Sequence, residues 1–309
     1  MRKGDKQQKE MKEDSAAREE EIFANAPVGK ALASMIVPTI VSQVIIVIYN
    51  LADTWFVGLT ENANAVAAVS LCLPVYTILS AISNLFGIGG AGSLLYDIVK
   101  GGIPGFCMVA LAMFSNCFLN SIISTLGSEA VAGIGIVRKI DQLAYAVNQG
   151  VTQGMLPLVA YCYSSGRRSR MWKAVGISAV FSEGFSLICM AISLIFSNEL
   201  ITIFIRDPKT IYFGAEFLRI LCLAVPLYTL TFVITAVFQA VGRGVEPFVL
   251  SVLHKRSLDI VLLFILRLLA GVERILWAAP TAEMIALITG IIMLAAFWKK
   301  LNMKYAQVR

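Results

Sequence analysis

Ile46-Val-Ile-Tyr-Asn-Leu-Ala-Asp-Thr-Trp-Phe-Val-Gly58 is the second half of a mostly apolar run that begins near Ala31. The run is long enough to cross a bilayer, yet it carries one carboxylate, Asp53. An Asp at the centre of a membrane helix costs about 2.5–3.5 kcal/mol, against about 0.3–0.6 kcal/mol gained from a Leu. Such a side chain is placed against protein or water rather than lipid. At about 100° per residue, Gln43, Asn50, Asp53 and Thr54 fall within an arc of about 100°, so this helix has a polar stripe. Two readings of Asp53 stay open: a solvated residue near a helix end, or a carboxylate that binds a cation or proton in a membrane transporter.

Composition places the whole chain in the same class. Hydrophobic residues make up 58% of its 309 residues and charged residues 15%, where a soluble domain has about 25% charged; the mean hydropathy is +0.76. The apolar residues gather in separate runs of about 20 or more, which indicates an all-α integral membrane protein rather than a barrel of alternating strands. The formal charge of +6 is accounted for by basic loops and gives no reason to invoke nucleic acid. Cys72, Cys107, Cys117, Cys162, Cys189 and Cys222 lie in or beside apolar runs without metal-site spacing, and His254 is the single histidine. The cysteines read as small hydrophobes, and a single histidine excludes a zinc site built on paired histidines, so neither a metal site nor a cofactor motif is expected. Gly87, Gly89, Gly90 and Gly92 end a spanning helix and do not form a phosphate-binding loop. No nucleophile–base arrangement is present, so the chain does not read as an enzyme.

Residues 1–27 form a charged tail of mixed sign without the apolar core of a signal peptide, read as a disordered or loosely helical cytosolic extension. Pro27-Val28-Gly29 precedes the first span. About eight spanning helices are expected, at 31–58, 64–92, 97–124, 128–162, 172–197, 210–240, 246–270 and 277–300. Prolines 38, 74, 104, 157, 226, 247 and 280 are expected at their ends or bends. The loop with Arg167, Arg168, Arg170 and Lys173, and the terminal Lys299, Lys300, Lys304 and Arg309, place both termini in the cytoplasm of a multi-pass plasma-membrane protein.

The fourth span carries a second polar stripe. Asp141, Tyr145, Asn148 and Thr152 share one helix face, with Gln149 and Gln153 beside it. They serve either as cavity lining or as hydrogen-bonding glue between helices. Glu183 and Glu283 are lone carboxylates in spans. His254, Lys255, Arg256 and Asp259 lie either at the membrane interface or in a water-filled interior.

Asn50-Leu-Ala-Asp53, Phe56-Val-Gly58 and Gly87-Ile-Gly-Gly-Ala-Gly-Ser93 resemble the opening helices of a MATE (multidrug and toxic compound extrusion) transporter. Lys100-Gly-Gly-Ile-Pro-Gly105, Gly133-Ile-Gly-Ile-Val-Arg138 and Gln153-Gly154 with Pro157 and Tyr161 resemble the start of that family's second half. Phe238-Gln-Ala-Val-Gly-Arg-Gly244 and Ala279-Pro-Thr-Ala-Glu283 are similar to its later helices. The resemblance implies a two-lobed bundle with a cavity between the lobes. Measured against about twelve family helices, about four are missing from the first lobe: residues 28–95 would be a remnant N-lobe of two helices and 96–309 a six-helix C-lobe. It further implies that Asp53 couples Na⁺ or H⁺ to export of small organic cations. Gln43, Asn50, Thr54, Asp141, Tyr145, Asn148, Gln149 and Gln153 would then line the cavity. The resemblance places Ala112, and Thr231 or a neighbour, where some branches carry further acids. Alternatives within the resemblance are a flippase for lipid-linked saccharides, an inactive truncated remnant, and a homodimer whose two chains supply walls to one another.

Overall fold

The computed structural model describes residues 21–58, 79, 117–205, 207–242, 246, 249–250 and 272–306. Their regular structure is entirely helical: α1 Val28–Gly58, α2 Ser128–Ser164, α3 Arg168–Ile195, α4 Ser197–Thr202, α5 Pro208–Leu221, α6 Ala224–Ala240 and α7 Ala278–Ala306. A short apolar helix, Cys117–Leu126, precedes α2.

Local chemistry sets these boundaries. Pro27 cannot continue a helix but its carbonyl caps one, accepting the Ala31 N–H at 3.0 Å. The α2–α3 turn needs a residue with φ of +72° at position 166, which glycine supplies without a Cβ clash. Asp207 accepts from both the backbone N–H and the hydroxyl of Thr210, each at 2.8 Å, and Pro208 follows at the first helical position.

The span expected at 210–240 is two helices. α5 and α6 meet at Cys222–Leu223 with a bend of 42°. The break lies four residues before Pro226, whose ring would clash with the Cys222 carbonyl in a continuous helix. Pro38 and Pro157, by contrast, sit inside the unbroken α1 and α2. The expected span 172–197 runs one turn earlier, and its end folds into α4. The spans expected at 64–92 and 246–270 lie outside the described residues apart from isolated positions, and of 97–124 only the last turns are described. Residues 21–25 of the expected tail form a π-helical turn that packs on the bundle.

Among the described residues, Val28–Asn50, Arg168–Ile195 and Ile275–Leu301 are each long and apolar enough to cross a membrane, and α5 with α6 makes a fourth crossing if the bent pair is one span. α2 has the length without the apolarity. Its position explains this: α2 packs against α1, α3, α5 and α6 and occupies the middle of the bundle. Asn148 and Thr152 there meet protein instead of lipid.

One apolar core joins α1, α2, α3 and α6 through Leu32, Ile36, Met155, Leu158, Met171 and Val237, and a second joins the start of α2 to α4 and α5. α1 and α2 run antiparallel and very close. A Cβ at Gly150 would lie 2.7 Å from the Ile40 Cα, and one at Gly154 would lie 2.6 Å from the Ile36 Cα. Only glycine admits that approach, the small-xxx-small device of membrane helix pairs. Thr39 Oγ1 then donates across the crossing to the Gly150 carbonyl at 2.7 Å.

One end of the bundle collects the basic loop, the turn at residues 21–25 and the last turns of α7. Arg167 donates to the Ala24 carbonyl at 2.7 Å and Arg168 to the Leu301 carbonyl at 3.3 Å. Phe23 packs on Tyr161, and Trp172 stacks on Trp298 with ring centroids 4.3 Å apart.

Candidate functional site

The polar stripe of α2 divides in two. Asn148 and Thr152 are buried, at 0% and 6% exposure. Asn148 Nδ2 donates to Thr229 Oγ1 on α6 at 2.7 Å, and Thr229 donates to the Val225 carbonyl at 2.8 Å. Thr152 turns back onto its own helix, donating to the carbonyls of Asn148 and Gln149. These residues tie α2 to α6 in a medium where unmade hydrogen bonds are expensive.

Two turns earlier the stripe meets an aromatic group. The Tyr228 hydroxyl donates to Asp141 Oδ1 at 3.1 Å. Tyr145 lies edge-on to Phe232 at 5.2 Å and 6.3 Å from Tyr228, and Tyr228 and Phe232 are 5.6 Å apart. Tyr145 keeps 37% of its surface exposed while Tyr228 and Phe232 are buried. Asp141 thus sits at the edge of a cluster of three aromatic rings, where charge, ring faces and apolar area occur together.

α1 brings its own stripe to α2. Gln43 Nε2 donates to Gln153 Oε1 at 3.2 Å. The pairings of Ile36 with Gly154 and Ile40 with Gly150 set an antiparallel register, and the long side chains of Gln43 and Gln153 reach each other across an offset from it. Continued along α1, that register brings residue 53 opposite residue 137, about one turn beyond Asp141. The Asp53 and Thr54 side chains lie outside the described residues. Asn50 is exposed on α1, and Gln149 is half-buried on α2. Tyr228, Thr229 and Phe232 were missed from sequence; Thr229 and Tyr228 gave no periodic signal in an apolar helix.

Apolar helices of membrane-spanning length, packed around a polar central helix, define a multi-pass all-α membrane protein. The chain belongs to the MatE family, whose model matches residues 38–94 and 104–265. Over 216 residues it is 24% identical to the multidrug export protein MepA of Staphylococcus haemolyticus, covering 70% of this chain and 47% of that protein. Against MepA of Staphylococcus aureus strain NCTC 8325 / PS 47 it is 26% identical over 204 residues, or 65% of this chain and 44% of that one. Its fold resembles the crystal structure of MATE in the bent conformation, with a TM-score of 0.62 and 19% identity over 69% of this chain and 47% of the other. The chain thus spans about half the length of the curated relatives it matches.

Proposed function

We propose that this chain is a MATE-type secondary transporter that exports small organic cations across the plasma membrane in exchange for Na⁺ or H⁺. The observation that carries the reading is Asp141 held by Tyr228 at the edge of the Tyr145, Tyr228 and Phe232 ring cluster, about one turn from the level the α1 register assigns to residue 53. A cationic substrate bound near these acids competes with the coupling ion, which links the two fluxes through alternating access. Both termini are assigned to the cytoplasm, because the basic loop 167–173 and Lys299 and Lys300 gather at one end of the bundle. The reading includes a two-helix first lobe at 28–95 and a six-helix second lobe at 96–309, and the break in the family match between residues 94 and 104 supports that division. A second copy supplies the missing cavity wall.

The test is accumulation of an ethidium-like dye in cells lacking other pumps, with the chain at verified membrane levels. Energy-dependent dye loss is expected, and Asp53→Asn is expected to abolish it without reducing membrane insertion. Unchanged coupled efflux in Asp53→Asn removes Asp53 as the coupling residue. No efflux from well-inserted wild-type protein removes the transporter reading.

A further inference from the structure

The end of the bundle at the α2–α3 turn carries a basic patch that the proposed transport cycle does not use. Arg168, Arg170, Lys173, Lys299 and Lys300 lie in it, and no Asp or Glu occurs within 161–182 or 284–309. Lys173, Lys299 and Lys300 are exposed and make no hydrogen bond or ion pair among the described residues. Charge alone would be the ordinary basic rim that orients membrane proteins. The structure around it is more particular.

Trp172 at the start of α3 and Trp298 near the end of α7 stack at an interplanar angle of 26°. Arg168, one turn before Trp172, donates to the carbonyl of Leu301, one turn after Trp298. Long side chains thus bridge two helix ends, while along most of their length each packs on α6 instead of on the other. The gap beneath the tryptophans is apolar and open. Ala240 of α6 and Leu294 of α7 pack on the cluster holding Ala174 and Val175 of α3, which closes its back. One turn along, Gly176 follows Trp172 and Ala295 precedes Trp298; both are exposed, and nothing lies within 4 Å of a Cβ built on Gly176. Tryptophans settle at the boundary between headgroups and acyl chains. The gap therefore meets acyl chains, and the basic residues meet headgroups.

We propose that this groove between α3 and α7 holds one anionic phospholipid, its phosphate among Lys173, Lys299 and Lys300 and an acyl chain below the Trp172–Trp298 stack. Charge complementarity selects the headgroup. A zwitterionic lipid brings its own cation into a cluster of cations, and an anionic lipid does not. Basic pockets between membrane helices take such headgroups on the side here assigned to the cytoplasm. A lipid seated there fastens the start of α3 to the end of α7 where the two helices lack direct packing. The inference rests on the chain spanning a membrane and not on export, so dye efflux can fail while the lipid site stands, and the reverse also holds.

Quenching of tryptophan fluorescence by brominated lipid tests it. The full chain with Trp55→Phe and Trp277→Phe keeps Trp172 and Trp298 as its tryptophans. It is reconstituted in mixed phosphatidylglycerol and phosphatidylcholine vesicles, with bromine on one lipid or the other at equal total bromine. Brominated phosphatidylglycerol is expected to quench in excess and to saturate at low mole fraction. Lys173→Gln and Lys300→Gln should each weaken the apparent affinity about fivefold, and Lys209→Gln at the opposite end should leave it unchanged. If the two-tryptophan chain is not monodisperse, native mass spectrometry of the wild type replaces it, with one retained phosphatidylglycerol expected and its loss in the Lys173→Gln/Lys300→Gln chain. The proposal is overturned by equal quenching from the two lipids, by an excess that rises without saturating, by equal effects of Lys173→Gln and Lys209→Gln, by displacement with inorganic phosphate, or by no retained phosphatidylglycerol.

Discussion

Gly154→Ala is expected to weaken the bundle at the α1–α2 crossing. The new Cβ would lie 2.6 Å from the Ile36 Cα, 2.9 Å from the Ile36 N and 2.7 Å from Thr39 Oγ1. Two of these are backbone atoms, so no rotamer change relieves the overlap. Restoring carbon–carbon contact distance requires α1 to withdraw by about 1 Å. That withdrawal would stretch the 2.7 Å bond from Thr39 to the Gly150 carbonyl beyond hydrogen-bonding range. Overpacking costs about 1–3 kcal/mol and the lost bond about 1 kcal/mol, while replacing glycine in a helix returns about 1 kcal/mol. The net loss is about 1–3 kcal/mol. It is read from unfolding of purified protein in mixed micelles, with Gly184→Ala as control because nothing lies within 4 Å of a Cβ there. Ile36→Ala should fail to rescue the variant, since the collision is with main chain. Gly154→Ala unfolding together with Gly184→Ala would refute the close crossing.

Thr229→Val leaves the buried Asn148 amide without its acceptor and should destabilise by about 1–3 kcal/mol. A double-mutant cycle with Asn148→Ala should recover part of the loss, and strict additivity would disprove the pairing. Asp207→Ala removes the cap of α5 and should lower the unfolding midpoint at neutral pH. The two donors from Thr210 hold the Asp207 carboxyl below its ordinary 3.8. Its contribution is therefore complete above the unfolded value and is lost as pH falls through the lower folded one. The difference between wild type and Asp207→Ala should stay constant above about pH 5 and shrink below about pH 4, as read by thermal unfolding across pH.

Hydropathy and turn chemistry made α1, α3 and α7 legible, because each shows lipid a continuous apolar surface and ends at Pro27, Gly166 or a basic cluster. The α5–α6 break was not legible in position. Pro226 was expected to mark a bend, but its effect falls on the carbonyl four residues earlier, at Cys222. The stripe of Asp141, Tyr145, Asn148 and Thr152 was readable from spacing, but its division into a buried half and an aromatic half depends on which α6 residues face it. Ser178, Ser182 and Ser186 recur every four residues, and Gly150 and Gly154 share that spacing. That signal for close helix contact was available in the sequence and was passed over because it lies inside ordinary apolar runs.

α2 also bears on how the chain enters the bilayer during synthesis. A helix that is too polar to partition alone is retained in the insertion channel, or returns to water, until partners cover its polar face. α1 emerges first and offers the Ile36–Ile40 surface on which Gly150 and Gly154 of α2 seat, while α3 is apolar enough to enter unaided and is tethered to α2 by a tight turn. The order of emergence thus makes α2 a passenger of its neighbours. Loosening α1 or the α2–α3 turn would expose the nascent chain to quality-control proteolysis before any transport could be measured.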